Sequence, residues 1–87
     1  MQQNKEKTMS RTAEDKAQDY TAMGHSVDLI NNIIAGTAMT THTADEKNDS
    51  VSRNKEHLEI MVAKADWGDE DMTASNSAIA AATSYLA

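Results

Sequence analysis

The densest group of side chains that could bind a ligand is acidic and surrounds Trp67. It consists of Asp66, Asp69, Glu70 and Asp71. A calcium-binding loop needs oxygen ligands at alternating positions, a central glycine and a distal bidentate Glu. Gly68 comes too early for this pattern, and no Glu follows Glu70. We therefore expect no metal site and place these acids at the N-terminal end of a helix, where the helix dipole favours negative charge. The alternative is an acidic patch that faces another protein.

Residues of other catalytic types lack the spacing that catalysis requires. His25, His42 and His57 never lie three or four residues apart, so they form no helical metal-binding pair. Neither a Gly-x-Ser-x-Gly motif nor a glycine-rich phosphate loop occurs. Glu56 and Glu59 could share a helix face, but acid–base chemistry also needs a cleft. We predict that the chain is not an enzyme and takes no cofactor and no small-molecule substrate.

Large apolar side chains are scarce in this chain. Of its 87 residues, eleven are Ile, Leu or Val, Phe is absent, and Trp67 is the only tryptophan. A share of Leu, Ile, Val and Phe below about 20% makes a charged chain hard to fold alone. The chain is either a marginal monomer, helped by Met and Ala, or completes its core against a copy of itself or another protein. We favour the second alternative, a homo-oligomer or a complex with a protein partner.

The charge distribution bears on the choice of partner. The net charge is −6, and residues 25–87 carry all of it, with four basic and ten acidic side chains. Such a surface repels phosphate backbones, so we expect no direct nucleic-acid binding.

Cysteine is absent, which excludes disulfides and thiolate metal sites. No apolar run approaches the roughly 18 residues of a membrane span, and no apolar region follows the basic N-terminus as in a secretory signal.

The N-terminal part predicts a polar arm followed by helices. Residues 1–9 are polar and aperiodic, so we expect a flexible arm, and residues 10–87 form a single helical domain. Its N-terminal helices span residues 10–36. Thr12 and Asp15 resemble a capping box, and Gly24 either separates helices 12–23 and 26–35 or is absorbed into one longer helix. Since proline is absent, we expect the three glycines to end helices as left-handed caps. The apolar stripe consists of Val27, Ile30 and Ile34, widened by Leu29 and Ile33.

The C-terminal part predicts a helical hairpin over residues 44–87, after a linker at 37–43. Thr43 and Glu46 form a capping box for a helix over 44–66. A second helix over 70–86 follows a corner at Trp67 and Gly68. The first helix repeats apolar residues every seven positions at Ala44, Val51, Leu58 and Ala65, and the second does so at Met72, Ile79 and Leu86. The predicted fold is all-α, a small bundle of three to four helices with a C-terminal helical hairpin.

Two features predict a protein-binding surface. Trp67 either covers the end of a small core or anchors an interface, because Trp is enriched at binding hot spots. An Ala-rich face in the last helix is small enough to let another helix approach. The candidate interface residues are Val27, Ile30, Ile34, Trp67, Met72, Ala78, Ala81 and Ala82.

Part of the C-terminal half is similar to known sequences. Residues 53–67 (RNKEHLEIMVAKADW), continued by 69–72 and 78–81, resemble a segment of small uncharacterised proteins of tailed bacteriophages. This resemblance implies a viral origin and a place in the virion or the host cytoplasm, and it implies no activity. We favour a non-enzymatic protein-binding or assembly module, such as a minor phage virion component. The alternative is a small acidic phage regulator that binds and inhibits a host protein.

Overall fold

A computed structural model describes residues 11–87, and the predicted arm at residues 1–9 lies outside this range. The described chain contains three α-helices and no strand, which confirms the all-helical class. The helices are α1 (Ala13–Ala35), α2 (Ala44–Val62) and α3 (Thr73–Leu86). Each helix packs against the other two.

Helix α1 is continuous, which decides the alternative that Gly24 left open. The buried stripe of Met23, Val27 and Ile30 spans the position of Gly24, so tertiary packing holds the helix together there. The expectation that every glycine caps a helix is therefore wrong for Gly24. It is wrong for Gly68 as well, because α2 ends at Val62 and its C-cap is Ala63. It is confirmed for Gly36, which has a φ of 84° and donates its N–H to carbonyls of the preceding turn.

The helix starts follow local hydrogen bonds that the sequence predicts. At α1, the Thr12 hydroxyl accepts a hydrogen bond of 3.0 Å from the Asp15 N–H. At α2, the Thr43 hydroxyl accepts from the Glu46 N–H at 3.1 Å, and the Glu46 carboxylate accepts from the Thr43 N–H at 2.9 Å. The second arrangement is a complete capping box, so that prediction is confirmed.

Helix α2 ends earlier than predicted, at Val62 instead of residue 66. The indole Nε1 of Trp67 donates a hydrogen bond of 2.7 Å to the Met61 carbonyl, and the Lys64 N–H donates to the same carbonyl at 3.1 Å. In a continued helix that carbonyl would accept from the residue four positions on. The chain turns back instead, which brings the Trp67 ring against the end of α2.

Helix α3 begins later than predicted, at Thr73 instead of residue 70. A carboxylate oxygen of Asp71 accepts a hydrogen bond of 2.9 Å from the Thr73 N–H. Hydrogen bonds from the side chain and the backbone of Thr73 lower the pKa of Asp71. Asp69 and Glu70 are exposed and precede the helix. The N-cap of α3 is Met72, and its first turn contains no acid, so the predicted place of this acidic cluster within the start of the helix is wrong.

The core lies where the three helices and the Trp67 ring meet. Its buried apolar residues are Met23, Val27, Ile30, Ile33, Val51, Leu58, Met61, Trp67, Ala78 and Ala82. Ser26 of α1 contacts His57 of α2, whereas Lys16, nearer the start of α1, reaches Asp66 beyond the end of α2. The two helices therefore run antiparallel.

The predicted apolar stripes are shifted in all three helices. In the last turn of α1, Ile33 is buried and Ile34 is 40% exposed. Ala44 and Ala65 are exposed, since the first lies at the start of α2 and the second beyond its end. In α3 the seven-residue repeat flanks the buried line of Ser75, Ala78 and Ala82.

Candidate functional site

The described residues concentrate charged and aromatic side chains where the start of α1 meets the loop at residues 63–72. Trp67 is the buried centre of this region, with 7% of its surface exposed. The guanidinium carbon of Arg11 lies 4.5 Å from the centroid of the Trp67 ring, which is a cation–π geometry. The Tyr20 ring meets the Trp67 ring edge to face, with centroids 5.9 Å apart. Two side chains from the α1 side thus cover the indole.

Two carboxylates hold the Arg11 guanidinium in place. Both oxygens of Asp66 accept hydrogen bonds from it, one of them from Nε at 3.1 Å, and the backbone N–H of Arg11 donates to the same carboxylate at 3.1 Å. The remaining Nη donates to Asp19 at 2.6 Å. The side chains are 17% exposed for Arg11, 20% for Asp66 and 37% for Asp19. Partial burial strengthens these charge-assisted hydrogen bonds relative to those of a fully exposed pair.

This arrangement favours the charged form of both partners. The hydrogen bond from Arg11, followed by its charge, holds the pKa of the Asp66 carboxyl well below its usual range. The hydrogen bond to Asp66 raises the pKa of Arg11 above its already high ordinary value. An ion pair that is charged at neutral pH therefore lies against the Trp67 ring.

Two further hydrogen bonds attach α1 to the same loop. The Lys16 ammonium donates to the Asp66 carbonyl at 3.0 Å, and the Tyr20 hydroxyl donates to the Asp71 carbonyl at 2.6 Å. Both acceptors are backbone oxygens, so α1 is hydrogen-bonded to the backbone of the loop as well as to its side chains. We call the set of Arg11, Asp19, Tyr20, Asp66 and Trp67 the Trp67 cluster.

A second polar contact lies inside the bundle. The Ser26 hydroxyl is 2.9 Å from Nδ1 of His57, and Ser26 is 6% exposed between the helices. A serine paired with a histidine is the arrangement of a nucleophile and its base. This hydroxyl is covered by neighbouring helices, so a substrate has no access to it. The pair satisfies a buried polar group and fixes the register of α1 against α2.

Most of the interface residues that the sequence predicts are buried in the core of the protein. Val27, Ile30, Trp67, Ala78 and Ala82 are buried in the core, whereas Met72 and Ala81 are half-buried and Ile34 is exposed. Binding of another chain by these residues stays a prediction. The buried residues among them already pack against each other in the core of this chain.

Helix α3 has an unusual outer surface. None of its fourteen residues is charged. Its exposed positions carry only small or uncharged side chains, namely Thr73, Ala74, Asn76, Ser77, Ala80, Thr83 and Ser84. Ile79, Tyr85 and Leu86 lie half-buried beside them. We call the exposed positions the α3 outer face.

The residues of the Trp67 cluster that come from the α1 side were not found by sequence reasoning. Arg11 and Asp66 are 55 residues apart, and no periodicity links them. Spacing rules detect only neighbours within a helix or strand. Within residues 11–87, no three His, Asp or Glu side chains lie close enough to hold a metal ion. None of the described helices is long and apolar enough to span a membrane.

No protein-family model matches the sequence, and comparisons with curated proteins and with solved structures find no significant similarity. The resemblance to tailed-phage proteins therefore stays an expectation. The function has to be argued from the surface of the protein itself.

Proposed function

We propose that this chain is a non-enzymatic protein-binding or assembly module that packs on a larger subunit through the α3 outer face. In this proposal α2 and α3 act together as a helical hairpin, and α3 presents the surface. The observation that carries the proposal is the absence of charge along all fourteen residues of α3, in a protein with a net charge of −6.

Charge depletion of this kind is typical of interface centres. Charged residues are depleted at the cores of protein–protein interfaces, where desolvation is costly. The small side chains of Ala74, Ser77 and Ala80 would allow the backbone of a partner helix to come close, and Ile79 and Leu86 supply apolar surface at the edges. The occupant that fits best is a helix with a larger apolar side chain at its centre.

The acidic charge of the protein favours basic side chains on the partner. Exposed carboxylates on α2 include Asp45, Glu46 and Glu56. Complementary charge around an apolar centre steers association and fixes orientation. A larger subunit with Lys or Arg around a helical ridge matches this arrangement.

The proposed setting is a virion, with the chain as a minor component, or the cytoplasm of an infected host. The support is the resemblance of residues 53–67 to tailed-phage proteins. In this setting the small module binds at an interface between larger subunits.

One observation favours an acidic regulator of a host protein as the alternative. Exposed carboxylates recur along α2 at Asp45, Asp49 and Glu56, spaced for one side of the helix. However, Asp49 is paired with Arg53 at 2.6 Å, and Glu59 is paired with Lys55 at 3.4 Å. These pairs interrupt the negative surface that a mimic of nucleic acid needs, so we favour assembly.

The experiment compares two variants that each introduce one carboxylate. Ala80→Glu changes the α3 outer face, and Ser52→Glu changes an exposed position of α2. Tagged chains would be produced in cells infected with the encoding virus, and purified particles would be probed for the tag. We expect the wild type and Ser52→Glu to sediment with particles and Ala80→Glu to stay in the supernatant. Equal sedimentation of the two variants would exclude the α3 outer face, and capture of a host protein in place of particles would favour the regulator.

A further inference from the structure

We infer that Asp19, Asp66 and Trp67 form a binding site for a guanidinium group, occupied in this chain by its own Arg11. An arginine side chain of a protein partner would take the place of Arg11. This inference does not depend on the α3 outer face, because the guanidinium site lies between α1 and the loop at residues 63–72.

The geometry of the site suits a guanidinium better than any other cation. A guanidinium is planar and has five N–H donors. Here its central carbon lies over the Trp67 ring, 4.5 Å from the centroid, one edge donates to both oxygens of Asp66, and the third nitrogen donates to Asp19 at 2.6 Å. An ammonium group is a compact charge that cannot stack and form a fork at the same time. The site therefore distinguishes arginine from lysine.

The charge of the site favours a cation from outside as well. Two carboxylates face the Arg11 guanidinium, and the Lys16 ammonium lies against the Asp66 backbone carbonyl, so the charges balance while Arg11 is in place. Without Arg11, two partly buried carboxylates and one face of the indole would lack a partner. Such a site gains from any arginine that can reach it.

Part of the site is held by contacts that do not involve the Arg11 side chain. Asp19 and Tyr20 belong to α1, and the Trp67 indole is fixed by its hydrogen bond to the Met61 carbonyl. The Lys16 ammonium holds the backbone of Asp66 at 3.0 Å. The Trp67 ring and the Asp66 backbone therefore have contacts of their own, whereas the Asp66 carboxylate is hydrogen-bonded to Arg11 itself.

Arg11 itself does not belong to a helix. Thr12 is the N-cap of α1, and the helix begins at Ala13, so Arg11 precedes both. Its backbone N–H donates to the Asp66 carboxylate at 3.1 Å, whereas the first turn of α1 is capped by Thr12. Arg11 is therefore the internal occupant with which an arginine from a partner has to compete.

The test replaces the internal occupant and adds an external one. Arg11→Ala would be titrated with a capped arginine, N-acetylarginine amide, and Trp67 fluorescence would be recorded. Trp67 is the only tryptophan, so the signal reports this site. We expect a saturable change in Arg11→Ala and an apparent affinity at least about tenfold weaker in the wild type, where Arg11 competes at a high effective concentration. The matched control is Arg53→Ala, which removes an exposed arginine of α2 and should respond as the wild type does.

Two further measurements define the ligand and the site. N-acetyllysine amide should bind Arg11→Ala at least about tenfold more weakly than the arginine compound. Adding Asp66→Asn to Arg11→Ala should abolish the response to arginine. A response that does not saturate, or equal responses to arginine and lysine, would overturn the inference.

If circular dichroism shows that Arg11→Ala is unfolded, Arg11→Lys takes its place. A saturable response to the capped arginine in Arg11→Lys supports the inference, and its absence overturns it.

Discussion

The central carbon of the Arg11 guanidinium lies over the Trp67 ring, 4.5 Å from the ring centroid. The same group is hydrogen-bonded to Asp66, the residue that precedes Trp67. One side chain at the start of α1 therefore holds both a charge and an aromatic ring of a distant loop. This loop is the only connection between α2 and α3, so the contact bears on the stability of the whole bundle.

The Asp66 contact predicts how stability depends on pH. Because the pKa of Asp66 is lowered in the folded state, its contribution is present above the unfolded pKa of about 4 and is lost as the pH falls further. We expect Asp66→Asn to lower the melting temperature at neutral pH, and the difference from the wild type to narrow below about pH 4. Melting curves from circular dichroism across this range are the measurement. A difference that is constant with pH would show that ionisation of Asp66 contributes nothing.

The two glycines of α1 should respond in opposite directions to the same substitution. Gly24 lies inside the helix and an added Cβ would meet nothing within 4 Å, so Gly24→Ala should stabilise the protein by about 0.5–1 kcal/mol. Gly36 has a φ of 84°, which L side chains rarely adopt, so Gly36→Ala should destabilise it by about 1 kcal/mol. Urea unfolding of both variants measures the two free energies. Effects of equal sign would contradict the assignment of Gly36 as the left-handed cap.

Leu58 and Glu56 provide a matched pair on α2. Leu58 is completely buried, so Leu58→Ala should cost about 2–5 kcal/mol, a large share of the stability of so small a domain. Glu56 is exposed, and Glu56→Ala should change the free energy of unfolding by less than about 0.5 kcal/mol. Thermal melting compares the two variants under the same conditions. Equal melting temperatures would exclude the observed register of α2.

The capping box at the start of α2 should be measurable by itself. Thr43→Ala removes the hydroxyl that accepts from the Glu46 N–H and should cost about 1 kcal/mol. Thr41→Ala, two residues earlier in the loop and exposed, is the control and should be close to neutral. Chemical denaturation gives both values. A loss for Thr41→Ala as large as that for Thr43→Ala would indicate that the loop, and not the cap, carries the effect.

The sequence predicted well those features that depend on near neighbours. The capping box of Thr43 and Glu46 and the left-handed cap at Gly36 involve hydrogen bonds between residues a few positions apart. Such bonds form wherever a helix begins or ends, so residue types and spacing are sufficient to locate them. The helical class followed from the same local signals.

Features that depend on distant residues were predicted less well. The continuity of α1 through Gly24 could not be decided, because a glycine in a helix costs little and packing of Met23 and Val27 decides the outcome. The end of α2 was placed too late, since the hydrogen bond from Trp67 to the Met61 carbonyl forms only when the chain turns back.

By itself, then, the sequence determined the helical class, the starts of α1 and α2, the cap at Gly36 and the acidic charge, all of which rest on composition or on contacts along one turn of chain. Only the tertiary structure decided that Arg11, Asp19 and Tyr20 meet Asp66 and Trp67. The physical reason is that these contacts join segments whose distance in space depends on how three helices pack. Packing follows from the shapes of many buried side chains together, which no local spacing records.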